Sequence, residues 1–380
     1  MSLINGLSWY QVSNIVACTW LLSSCGGSGE GAGPAYAYVA NADTLSTYAI
    51  NPSTGGLTAA VGSPLVIPET LPLPISFGGG ISQITTNPSG QFLYFLDNSG
   101  VYAYEIDRNS GALTAVAGSP FQVGSPPTSL AFDASGSYLY VTSYSGPTAP
   151  VGTVISAYSV NNSGALVPLA KNTVSSELST VVVAGNYLYV AGYYTNSISV
   201  FSIGSTGELS QNVPGSPFAT DTGPYNIVAD LSGSVLYTAN NGTPTATEAT
   251  PGSISAFTIN SSTGALTPVS GYPQPIAVHG AISIDPKGRF LLVPETAGVS
   301  LYAIDTTTGT LSAVSGSPFP AGTDPSLVSI DPMDRFVYVV NEGSANVSEF
   351  TFESTGALTP LAGSPVPVVS NPSDMATVWY

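Results

Sequence analysis

The stretch PSLVSIDPMDRFVYVVNEGSANVSEFTFESTGALTPLAGSPV, residues 325–366, decides the fold. It divides into four short runs, LVSID, RFVYVVN, NVSEFTF and LTPLAG, separated by the turn-forming DPMD, EGSA and ESTG. Each run alternates apolar with polar residues or is rich in β-branched ones, which is the pattern of a half-buried strand. Three of its features recur. A Gly-x-Leu turn ends at Leu57, Leu113, Leu166, Leu209, Leu266, Leu311 and Leu358, seven copies at intervals of 43 to 57 residues. Upstream of each turn lies a strand core, AYV at 37, LYF at 93, LYV at 139 and 188, LYT at 236, LLV at 291 and VYV at 337. Gly-Ser-Pro follows the turn at Gly62, Gly118, Gly215, Gly316 and Gly363.

Four antiparallel strands per unit and seven units of about 50 residues predict an all-β, seven-bladed β-propeller. Solenoid repeats are usually shorter, and the chain ends here point to ring closure instead. The first unit begins at Tyr36 with its second strand and lacks the leading one. NPSDMATVWY, 371–380, matches the first-strand segments TSLAFD at 128–133 and SLVSID at 326–331. The C-terminal strand is therefore expected to join the N-terminal blade and remove an open, aggregation-prone edge.

Composition agrees. Only 7% of the residues are charged, while 41 Gly, 31 Pro and 21 Tyr favour tight turns and strands over helices. The net charge of −17 reflects 5 Lys and Arg more than its 22 acids. Without clustered cations, nucleic acid and an anionic membrane surface are both excluded as partners.

Residues 1–35 differ from the rest. The apolar run IVACTWLL, 15–22, is too short to span a bilayer and fits a signal-peptide core. It leads into Leu22-Ser23-Ser24-Cys25, which resembles the lipobox of bacterial lipoproteins, and then into GGSGEGAGP. The expected organisation is a lipoprotein-type signal peptide at 1–24, a Gly/Ser-rich tether at 25–35 with Cys25 lipidated, and the propeller at 36–380. Residues 1–14 depart from an export signal in having no Lys or Arg. The expected location is the cell envelope, periplasm or exterior, with membrane contact through the lipid alone and a monomeric ring.

In a four-stranded blade, the turn between strands two and three and the connection to the next blade share one rim. The long connections 143–153, 240–253 and 65–80 fall there, whereas NPSG at 87, DASG at 133 and DPKG at 285 stay tight on the other side. Varied loops on one rim suggest the binding face. The only histidine, His279, begins the first strand of blade six on that rim, and Glu342 ends the second strand of blade seven. Other acids placed there are Asp43, Asp97, Asp221, Glu295 and Asp324. Lys287 and Arg289, although near His279 in sequence, belong to a tight turn of the opposite rim. Zinc held by nitrogen or sulfur is not available with one histidine and two cysteines. No cofactor is expected, and calcium between rim carboxylates stays open as an alternative with no DxDxDG motif behind it.

DPKGRFLLVP at 285–294, TGALT at 263–267 and the GSPF copies at 118, 215 and 316 resemble the seven-bladed lactonase family, which includes 6-phosphogluconolactonase of the propeller type and carboxymuconate cyclase. The chain is similar also to YVTN-type surface propellers. The lactonase resemblance covers 36–380 and implies a site made of a histidine, an arginine and a glutamate. The histidine matches His279 and the glutamate Glu342, whereas the arginine's place falls on Ser326. His279 also stands one residue further from its turn proline, Pro286, than in the family. Two readings stay open: a lactone hydrolase with His279 and Glu342 catalytic and Ser326, Asp324, Glu295 and Asp97 lining the substrate, or a non-catalytic tethered ring that binds a protein or polysaccharide through its rim loops.

Overall fold

The computed structural model describes residues 33–380 apart from 42–43, 68–80, 124–125, 145–152, 175–178, 212, 243–251 and 297. The expected leader and Cys25, most of the tether, Asp43 and the greater part of the three long loops lie outside the described residues. What is described forms seven antiparallel sheets, each with four strands in sequential order, joined into a ring. In blades 2 to 7 the first strands are Gln83–Thr86, Pro127–Phe132, Ser179–Ala184, Pro224–Ala229, Ser283–Ile284 and Pro325–Ile330. Blade 1 takes its first strand from the other end of the chain. Pro372–Trp379 pairs antiparallel with Ala35–Asn41, Ala35 opposite Trp379 and Val39 opposite Met375. The ring thus closes as the sequence predicts.

The recurring motifs have definite tasks. In six blades the tyrosine of the strand core is buried, and its hydroxyl donates to the carbonyl of the glycine in the next blade's Gly-x-Leu turn. These pairs are Tyr38 to Gly111, Tyr94 to Gly164, Tyr140 to Gly207, Tyr189 to Gly264, Tyr237 to Gly309 and Tyr338 to Gly55, at 2.8 to 3.1 Å. Such a bond satisfies two buried polar groups and ties neighbouring sheets together. The turn glycine is required twice over at Gly264, where φ is +73° and a Cβ would lie 2.3 Å from the Tyr187 ring. The Gly-Ser-Pro serine answers a different need. In blade 1 the outermost strand is split into Leu57–Ala59 and Leu65–Val66, both paired with Thr44–Ile50. Ser63 Oγ accepts the Thr47 N–H at the interruption, 2.8 Å away, and Ser119, Ser216, Ser317 and Ser364 do the same in their blades.

Side chains of four first strands tie their blades to the next. Gln83, Ser129, Asn226 and Asp374 each accept a backbone N–H from the next blade, those of Leu130, Val181, Ile282 and Ile84. The seam between blades 6 and 7 departs from both patterns. Leu292 replaces the tyrosine, and Ala281 replaces the polar bridging residue. In their stead Arg289 bonds Asp285 of its own blade at 2.9 Å and Asp334 of blade 7, while its guanidinium lies 5.8 Å from the Phe352 ring centre. Lys287 adds a contact to Asp334 at 2.9 Å. Both cations therefore serve the seam on the tight-turn rim.

Candidate functional site

The candidate site occupies the opposite rim of that same seam. Blade 6 has an unusually short first strand, Ser283–Ile284, because the residues before it lean on blade 7. Gly280 lies so close to Ser326 that a Cβ would come within 2.3 Å of the Ser326 carbonyl oxygen. The missing side chain allows Ala281 to bridge Leu327 in parallel and to donate its N–H to Ser326 O at 2.8 Å. Tyr225 of blade 5 holds the Gly280 carbonyl at 3.0 Å, and the His279 N–H donates to Pro294 O at 2.8 Å. The segment carrying the histidine is thus fastened to three blades.

This placement brings His279 Nε2 to 3.0 Å from Asp324 Oδ1. The two side chains are 21% and 62% exposed, so the ring is shielded while the carboxylate faces solvent. Asp324 has φ +51°, a left-handed conformation uncommon outside glycine. Its carbonyl accepts the Glu342 N–H at 2.9 Å, and Thr323 O accepts that of Gly343 at 3.1 Å. Asn341 stiffens the turn that follows, donating to Asn346 Oδ1 at 2.8 Å and Ser348 Oγ at 3.0 Å, while its own Oδ1 takes the Gly322 N–H. Glu342 is exposed at the rim, yet its carboxyl is raised above the usual carboxylate range. Partial desolvation is the main cause and the Asp324 charge the second, while His279 acts in the opposite sense. A histidine with two carboxyl groups around it can accept, hold and return a proton.

Not every residue singled out from the sequence joins this group. Ser326 belongs to the seam: its carbonyl receives the Ala281 N–H, and its Oγ donates to Val340 O at 3.3 Å. Asp97, in blade 2, accepts the N–H groups of Ser99 and Gly100 and caps its own turn. Glu295 ends the second strand of blade 6 at the register position of Asp97 and Asn341, where its charge, after burial, helps to raise the pKa of the Tyr302 hydroxyl. Asp221 accepts from Ser253 Oγ at 2.7 Å and from the Thr222 N–H at 2.8 Å. Sequence reading did not single out Gly280, Gly343 or Asn341. Among the described residues, no cluster of three or more His, Cys, Asp or Glu side chains is arranged to hold a metal ion, and no helix is long and apolar enough to cross a membrane.

The chain is a seven-bladed β-propeller that carries a histidine and carboxylates on one rim of a single seam. The family model that matches the chain is "Lactonase, 7-bladed beta-propeller", over residues 70–181, 96–226 and 252–375. The protein belongs to this lactonase family of β-propellers. Among solved structures, the periplasmic gluconolactonase PpgL of Pseudomonas aeruginosa is similar with a TM-score of 0.67 at 19% identity, covering 91% of this chain and 99% of that one. A putative 6-phosphogluconolactonase from Bacteroides fragilis is similar with a TM-score of 0.69 at 18% identity, covering 93% of this chain and 100% of that one. At these identities the likeness is one of fold. No curated protein matches the chain.

Proposed function

We propose that the protein hydrolyses uncharged lactones at the rim between blades 6 and 7. The observation that carries this reading is the cluster of His279, Asp324 and Glu342 on one seam, in a chain of the lactonase family. In this scheme water attacks the lactone carbonyl carbon as its proton passes to His279. The bond from that carbon to the ring oxygen breaks, and the departing oxygen takes a proton from Glu342, leaving a single hydroxy acid. A carboxyl held above its usual range is suited to donating that proton. No cofactor enters, and the ring acts as a monomer.

Charge favours a neutral substrate. Where the family places an arginine stands Ser326, and serine cannot hold a phosphate or carboxylate bidentately. The Asp324 charge adds negative potential at the same place. Of the two structural neighbours, PpgL is described as a periplasmic gluconolactonase, and a periplasmic location matches the export read from residues 1–24.

A panel of neutral and acidic lactones assayed with wild type and His279→Ala tests the reading. We expect turnover of neutral lactones, weak turnover of acidic ones, and a loss of about 100-fold or more in kcat on removing the base. Equal rates in the two proteins, or no turnover at all, would remove the hydrolase and leave a ring that binds through its rim loops.

A further inference from the structure

We infer that Asp324 is the positioning residue of this site: its carboxylate accepts a hydrogen bond from the Nε2–H of His279, which fixes the tautomer and orientation of the ring. The inference rests on the hydrolase reading of His279 and gives the histidine a partner other than Glu342. A histidine whose one nitrogen donates to a carboxylate has its tautomer and orientation set by that bond.

Three features of the seam make sense on this assignment. First, the pair does little for stability. A contact whose acid is 62% exposed is screened by water and adds little, and Arg289 with Lys287 already joins the two blades on the far rim. Second, the entry turn into a first strand, which has Gly223 and Asn371 at positive φ before Pro224 and Pro372 in other blades, carries an aspartate at this seam: Asp324, at φ +51°, with the Glu342 N–H on its carbonyl. Third, space is cleared on both sides. A Cβ at Gly343 would come within 2.8 Å of Asp324 Oδ2, and one at Gly280 would push the histidine segment away from blade 7. The two glycines and the left-handed turn together aim one carboxylate at one imidazole.

The chain has a single histidine, so its ring protons are assigned without ambiguity by NMR. At alkaline pH the wild type is expected to show a downfield, slowly exchanging Nε2–H resonance. Asp324→Gly, which tolerates a positive φ, is expected to lose that resonance and to lower kcat about 100-fold with KM little changed. Asp324→Asn keeps an acceptor oxygen and the turn, and should retain the resonance less far downfield. A wild-type spectrum without the signal, or the same signal in Asp324→Gly, overturns the inference. Absence of lactone turnover in the wild type would fail the hydrolase reading instead, and the ring-proton comparison would still decide where the proton goes.

Discussion

The turn glycines of the ring divide into two kinds, and one pair of substitutions separates them. Gly264 and Gly62 both have positive φ, +73° and +84°, but a Cβ at Gly264 would lie 2.3 Å from Tyr187 Cδ1, whereas one at Gly62 would meet nothing within 4 Å. Alanine therefore meets the left-handed penalty at both sites, about 1–2 kcal/mol. Only at Gly264 must a ring also move. Tyr187 is held by a bond from its hydroxyl to Ser262 O at 2.7 Å, and Gly264 O accepts from Tyr189 at 3.1 Å. Overpacking of this kind costs about 1–3 kcal/mol, and a strained hydrogen bond adds about 1 kcal/mol. Gly264→Ala should thus be less stable than Gly62→Ala by about 2–4 kcal/mol. With an unfolding entropy of about 2.1 cal/mol/K per residue over roughly 345 residues, that difference is about 3–6 °C in Tm. Differential scanning calorimetry on the two variants reads it directly. Equal losses, or a larger loss in Gly62→Ala, would refute the claim that these glycines exist to let one blade's aromatic ring lie against the next blade's turn.

Two further outcomes follow from groups elsewhere in the chain. Burial pushes the Asp374 carboxyl up to about 8, against about 3.9 in an unfolded chain, so its contribution is fully present below about pH 4 and is lost as pH rises through the folded value. Stability should fall by up to about 1.4 kcal/mol per pH unit across that window, and Asp374→Asn should flatten the dependence of Tm on pH; a slope identical to wild type would refute this. For the leader, metabolic labelling with a radioactive fatty acid is expected to mark the wild type and not Cys25→Ala, and equal labelling, or none in either, would exclude an anchor at Cys25.

Much of the ring was legible because each motif meets a need that recurs in every blade. A Gly-x-Leu turn, a Tyr-centred strand and a Gly-Ser-Pro are visible in sequence since each solves a backbone problem with particular residue types. The closure was legible too, because Pro372–Trp379 has the same pattern as the first strands whose place it takes. The site was legible only in outline. His279 and Glu342 were placed on one rim by counting strands, but the contact to His279 is made by Asp324. Strand counting gives a residue's rim and blade; it does not give the angle of a segment that leaves its own sheet. Asp97 and Glu295 show the same limit, since a carboxylate at a strand end can cap a turn as Asp97 does.

The sequence by itself determined the all-β class, the number of blades and the seam on which the candidate residues fall, because these depend on residue type and spacing. Only the tertiary structure decided which carboxylate the histidine meets. Asp324 lies 45 residues from His279 in the chain, and the two come together because Gly280 has no side chain to keep blade 6 from resting on the Ser326 carbonyl. Such an approach is set by atoms of two blades packed against each other, and no local pattern encodes it.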